Sequence, residues 1–209
     1  TLDLLKKAII FAENKKTQKH ENKKTKTMKK YKLTKETKKM NNKTLYRIEA
    51  LRDFGSVKKG EKGGFIEKEK NLSQNGDCWI CGSAIVCGSA FVCGSAFVCG
   101  SAIICDSAII QDSAIIQDSA IICGSAVIRG DAVIRGDAVV RGDEDYIVFK
   151  NWWSSGRYFT WTKSNNMWSV GCFSGTGEEL IAKAYQDNDT SGREYERIVN
   201  YINDILKNN

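Results

Sequence analysis

The chain has 209 residues, 42% of them apolar and 10% aromatic, which suffices for one or two domains with a buried core. No apolar run reaches the roughly 20 residues that a membrane span needs, and the opening stretch LLKKAIIF is too short and too charged to serve as one. The net charge of +7 is uneven: residues 1 to 43 hold fifteen Lys against four acids, or +11, so the rest of the chain is 4 units acidic and the basic character belongs to an arm.

Residues 1–29 form that arm. The block NKKTQKHENKKTKTMKK lacks apolar periodicity and its like charges repel, so it is expected to be disordered. A solvated tail is the preferred reading. The alternative is a nucleic-acid arm held by phosphate contacts, binding without sequence preference and weakening with salt. The chain begins at Thr1, while Met28 opens a stretch that reads as a domain start, so residues 1–27 read as an upstream extension.

Residues 30–71 are expected to be a β cap. YKLTKE and TLYRIEAL are β-prone runs joined by KKMNNK, where Asn41 and Asn42 tolerate a tight turn, which predicts a hairpin. Gly60, Gly63 and Gly64 are expected in turns. Ile66, Leu72 and Cys78 follow six apart and lead into the phase of the next segment.

Residues 72–143 hold the organising feature. From Cys78 the chain reads in sixes (CWICGS, AIVCGS, AFVCGS and so on to AVVRGD), eleven hexads in unbroken register. A short fixed period means a solenoid whose units bury their faces on one another and whose ends need atypical covers. With the six positions lettered a to f, a is Ala in ten hexads and c is Ile or Val in all eleven. In an extended chain a and c share one side, the narrow interior, while b points the other way. Gly or Asp at e and Ser or Asp at f are turn formers, and three bends close a triangle.

Ile80 to Ala84, Val86 to Ala90 and Ile128 to Ala132 place an aliphatic residue four positions before a small one. In this the repeat resembles the left-handed parallel β-helix of the hexapeptide-repeat proteins. The resemblance implies the left-handed sense, eighteen residues per coil and trimerisation. Eleven hexads then make a little under four coils, a rod of about 18 Å. The run LYRIEALRDF, VKKGEKGGFIEKEKNLS and CWI leading into hexads is also similar to a group of phage and prophage proteins, the YdcK type, loosely labelled transferases. That likeness covers about residues 28 to 143.

Residues 144–209 change in composition. Nine aromatics fall between Tyr146 and Phe173, and DYIVFK, RYFTWTK and NMWSVGCF predict three antiparallel strands with turns at SSG and SNN. Thr176 and Glu179 form a capping box that opens a helix through Tyr185, and Ser191 to Lys207 predicts a second helix with one apolar face. The expected fold is therefore mainly β: a β-helix with a hairpin cap and a small α+β domain.

Four functional readings follow. Acyl transfer, best known among hexapeptide-repeat enzymes, uses by resemblance a histidine at a subunit edge. The only histidine here is His20, in the arm, where nothing holds it within the hydrogen-bonding reach a general base requires. No catalytic residue is assigned, and a transferase with a non-histidine base at a subunit interface stays as the alternative. The cysteine ladder is the second reading, because Cys87, Cys105 and Cys123, and Cys81 and Cys99, stack at position d. A soft metal or disulfides are conceivable there, but small corner filler is preferred, so no metal or cofactor is assigned.

Third, the RGD triplets and SGTGEEL offer an anion site at Arg129, Arg135, Arg141, Gly175, Thr176 and Gly177; mutual Arg–Asp pairing and a simple capping box are the preferred readings. Fourth, position b carries no polar residue: Trp79, Ile85, Phe91, Phe97, Ile103, Ile109, Ile115, Ile121, Val127, Val133 and Val139 make three apolar outer faces. A soluble monomer seldom exposes so much apolar surface, so at least one of these faces is expected to be covered by other copies of the chain or by the C-terminal domain. The resulting expectation is a non-enzymatic oligomeric binding or scaffold protein of phage type. It is expected to be a trimer with itself and cytoplasmic in a bacterial host, with reduced thiols because no signal peptide is visible.

Overall fold

The computed structural model of the chain describes residues 28–207. The expectations placed on residues 1–27, the arm's disorder and the position of His20 included, lie outside them. The hexads wind into a parallel β-solenoid of about four coils. Each hexad supplies one two-residue rung at positions b and c: Trp79–Ile80 (β4), Ile85–Val86 (β5), Phe91–Val92 (β6), Phe97–Val98 (β7), Ile103–Ile104 (β8), Ile109–Ile110 (β9), Ile115–Ile116 (β10), Ile121–Ile122 (β11), Val127–Ile128 (β12), Val133–Ile134 (β13) and Val139–Val140 (β14). Rungs eighteen residues apart pair in parallel, giving the ladders β4-β7-β10-β13, β5-β8-β11-β14 and β6-β9-β12.

The alternation of an extended chain decides what is inside. The alanines at a and the Ile and Val residues at c are at most 1% exposed, while b points outward. Position e sits at the corner in the left-handed region, where Gly is free of a Cβ clash and Asp is tolerated. Gly82 has φ of 63° and Asp112 of 57°. The aspartates also contribute directly: Asp106, Asp112 and Asp118 each accept, at 3.0 to 3.1 Å, the backbone N–H of the e residue one coil further on.

Hydrogen bonding gives the stack a polarity that determines how its ends are closed. Each coil donates N–H groups at b and d to the a and c carbonyls of the next coil, as Phe97 does to Ala114 and Cys99 to Ile116, both at 2.9 Å. The first coil is therefore left with free carbonyls and the last with free N–H groups, and either kind costs about 1 to 3 kcal/mol if buried unpaired.

At the first coil the chain supplies donors. Strand β3 (Lys62–Ile66) adds in parallel to β5, so the N–H groups of Phe65 and Glu67 reach the carbonyls of Ala84 and Val86, and that of Ser73 reaches Val92. Asn71 Nδ2 donates to the Ala90 carbonyl at 2.8 Å, and Lys30 Nζ to the Cys78 carbonyl at 2.9 Å. Both side chains belong to fully buried residues. At the last coil the chain supplies acceptors. Asp143 Oδ1, Thr160 Oγ1 and Ser164 Oγ take the N–H groups of Val127, Val133 and Val139 at 3.2, 3.0 and 2.7 Å, one on each face, and Asp145 takes that of Arg141.

The cap is a hairpin of β1 (Tyr31–Met40) and β2 (Lys43–Ala50), turned by Asn41 and Asn42 with φ of 46° and 61°. Beneath it Trp79 is fully buried, edge-on to Phe54 at 5.3 Å and to Tyr31 at 6.4 Å. Two expectations are corrected here. Gly63 and Gly64 lie inside β3 rather than in turns: a Cβ at either would come within 2.5 Å of a backbone oxygen, Ile80's or Ala84's, so glycine allows β3 to lie against the first coil. Ile66 and Leu72 stack against Val86 and Val92, both at position c, whereas Cys78 begins its hexad at a. The six-residue spacing therefore slips by two between Leu72 and Cys78, where the chain turns through Gly76 at φ of 69°.

The C-terminal region is an antiparallel sheet, β15 (Tyr146–Lys150), β16 (Tyr158–Thr162), β17 (Met167–Val170) and β18 (Phe173–Gly175), with helices α1 (Gly177–Asp187) and α2 (Asp189–Lys207). Four strands stand where three were expected, because a turn at Gly171 and Cys172 folds the run NMWSVGCF back on itself. Its separate core gathers Phe159, Trp168, Leu180, Tyr195, Val199 and Ile202. No helix among the described residues is long and apolar enough to cross a membrane.

Candidate functional site

The outer faces carry the most distinctive pattern. Of the eleven b residues, Trp79 and Ile85 are buried, at 0% and 4% exposure. The cover is the N-terminal cap, with Tyr31 and Phe54 against Trp79, and Leu45 and Phe65 clustered with Ile85. Expected as interface residues, these two are already occupied within the chain. The other nine stay partly exposed, three on each face: Phe97, Ile115, Val133; Ile103, Ile121, Val139; and Phe91, Ile109, Val127. Rows of like side chains one strand spacing apart shield one another, which accounts for part of their burial.

The arginines do not converge. Arg129 lines a cleft of about 500 Å³ with Asp131, Asp143, Tyr146 and Tyr158. Arg135 lines another of about 400 Å³ with Asp137, Ser164 and Asn165. Each cleft mixes both signs of charge. The expected pairing of these arginines with the RGD aspartates is absent among the described residues: Asp137 accepts from Asn165 Nδ2 at 3.2 Å, Asp143 from the Val127 amide, and Arg135 Nε is buried without a partner.

Gly175 closes β18, and Thr176 caps α1. Thr176 Oγ1 accepts the Glu179 N–H at 3.3 Å, and the Glu179 carboxylate accepts the Thr176 N–H at 2.8 Å. The cap thus uses one of the helix-start amides on the chain's own acid. Glu178 stands with Thr176 and Gly177 in the adjacent cleft of about 320 Å³, where it opposes an anion.

The corner thiols are stacked as the period requires. Burial pushes the Cys81 thiol up to about 12, with Cys99 beside it, and the Cys105 thiol up to about 12, with Asp106 and Cys123 adding to the effect. The Cys81 and Cys105 thiols therefore keep their protons near neutrality unless a cation displaces them. One corner differs: the Sγ atoms of Cys105 and Cys123 and a carboxylate oxygen of Asp106 all lie within 4.8 Å of one another.

Two features escaped the sequence. Lys30 looks like any other lysine of a basic stretch, yet its Nζ lies 3.2 Å from Cys78 Sγ and 5.0 Å from the Phe54 ring centroid. Burial lowers its pKa, and Cys78 partly offsets that. Asn151, 6% exposed, donates to Tyr195 Oη at 3.0 Å while its Oδ1 has no partner, at the floor of a cleft of about 250 Å³. Asn151 meets Tyr195, 44 residues on, because α2 packs against the sheet, with the Tyr195 ring 5.2 Å from that of Phe159. No protein-family model matches the chain, and no curated protein matches it.

Proposed function

We propose that the chain is a non-enzymatic binding or scaffold protein that assembles side by side with copies of itself, a trimer of phage or prophage type working in the host cytoplasm. The observation that carries this reading is the contrast between closed ends and open sides. At both ends of the solenoid the chain itself caps backbone groups on all three faces, which opposes end-to-end growth into a fibre. All three sides keep in-register apolar rungs partly exposed. A contiguous apolar face of that kind marks an interaction surface. The terminal domains then serve as working surfaces held outward by the rod.

The test places one charge at the middle of each face. One of Ile115→Lys, Ile121→Lys and Ile109→Lys is expected to convert the oligomer to a folded monomer or to aggregate in size-exclusion chromatography. Burial of an Ile at an interface is worth about 1.5 to 3 kcal/mol, and a symmetric trimer repeats the contact. Three variants that all elute as the wild type would refute side-by-side assembly.

A further inference from the structure

We propose that the corner formed by Cys105, Asp106 and Cys123 binds a thiophilic divalent cation of the zinc or cadmium type. The repeat itself places the ligands. Cys105 and Cys123 occupy position d on successive coils, in register through the pairing of β8 with β11, and Asp106 is the residue next to Cys105 at the corner. Its carboxylate is already oriented, because Oδ2 accepts the Gly124 N–H at 3.0 Å and leaves the second oxygen uncommitted. Such a supporting hydrogen bond is what fixes a metal-ligating carboxylate.

The distances suit the chemistry. Metal–sulfur bonds of about 2.3 Å and metal–oxygen bonds of about 2.0 to 2.2 Å place tetrahedral ligand atoms roughly 3.5 to 3.8 Å apart. The three atoms here lie within 4.8 Å of one another, so small side-chain rotations close the site. Two sulfurs and one oxygen select a soft or borderline ion over calcium or magnesium, which take all-oxygen sets. Three protein ligands leave the fourth position to water. Cys105 and Cys123 are partly exposed and Asp106 is exposed, which gives the ion a way in.

The other corners provide an internal comparison. Cys81 stacks with Cys99, but both are followed by glycine, Gly82 and Gly100; Cys93 is followed on the next coil by Gln111 rather than a second thiol. Among the described residues only the Cys105 corner joins two thiols and a carboxylate. An ion there would clip the second coil to the third, a role independent of assembly through the outer faces.

The experiment uses the full chain, reduced and stripped of metal, titrated with Cd²⁺ alone and followed by thiolate-to-metal charge-transfer absorption, which no histidine or carboxylate site produces. One equivalent is expected to saturate the signal. Cys105→Ser and Cys123→Ser are expected to lower the affinity by more than about 100-fold, the upper end of what losing even an outer partner costs, and Asp106→Asn by at least about 10-fold. The double variant Cys81→Ser/Cys99→Ser should bind as the wild type does. Asp106→Asn keeps an oxygen for the Gly124 N–H and a residue type that tolerates the left-handed corner, so it stays informative if a serine variant fails to fold. Titration unchanged by Asp106→Asn and Cys105→Ser, or abolished by the Cys81/Cys99 double variant, would overturn the assignment.

Discussion

The two ends of the solenoid solve opposite problems with opposite chemistry. The first coil presents carbonyls and receives an ammonium, an amide and backbone N–H groups from Lys30, Asn71 and strand β3. The last coil presents N–H groups and receives carboxylate and hydroxyl oxygens from Asp143, Asp145, Thr160 and Ser164. The choice of residue type at each end follows from the direction in which the coils donate. The ends also differ in depth. The N-terminal cover buries Trp79 and extends the ladder by a strand, whereas the C-terminal contacts are mostly single side chains at a part-exposed rim. The first end should therefore dominate stability.

The largest expected effect tests that difference. Trp79→Ala empties the space under Tyr31 and Phe54 and should lower unfolding stability by about 3 to 5 kcal/mol in a denaturant titration. Thr160→Val keeps the shape but leaves the Val133 N–H without its acceptor. A loss of about 1 to 3 kcal/mol is expected there. If Thr160→Val proved as costly as Trp79→Ala, the ranking of the two ends would be reversed.

The smallest effect is read as a pH dependence. Glu67 accepts the Gly88 N–H at 2.6 Å and pairs with Lys43 at 3.2 Å, so its folded pKa lies below the ordinary 4.5. A depressed carboxylate binds fewer protons folded than unfolded, so its contribution is complete above the unfolded value and is lost as pH falls through the folded one. Glu67→Gln should flatten the acid limb of the stability curve just below pH 4.5 while changing little near neutrality. An unchanged acid limb would mean that the contact contributes nothing.

The rod was legible because a six-residue period leaves few other folds: small Ala at a, branched residues at c and turn formers at e fix the inside, the outside and the corners. The ladders Trp79-Phe97-Ile115-Val133, Ile85-Ile103-Ile121-Val139 and Phe91-Ile109-Val127 follow from counting eighteen. What the sequence hid were contacts between distant segments. Gly63 and Gly64 look like turn residues until β3 is laid against Ile80 and Ala84. Lys30 differs from its lysine neighbours only in standing above Cys78, 48 residues away. The fourth strand, β18, was hidden because Gly171 divides an apolar run that reads as one. The Cys105 corner was partly visible, since residues 105, 106 and 123 follow from adjacency plus one coil, but a carboxylate beside a thiol reads as an ordinary turn until the next coil is stacked on it.

The central claim is that closed ends and open apolar sides make this rod associate laterally into a finite assembly. Light scattering on the purified wild type, across micromolar concentrations, tests it most directly. The account predicts a discrete mass at a small multiple of the 23.3 kDa chain, three being the proposed number, with no growth into larger species as concentration rises. A clean 23.3 kDa monomer throughout would contradict it.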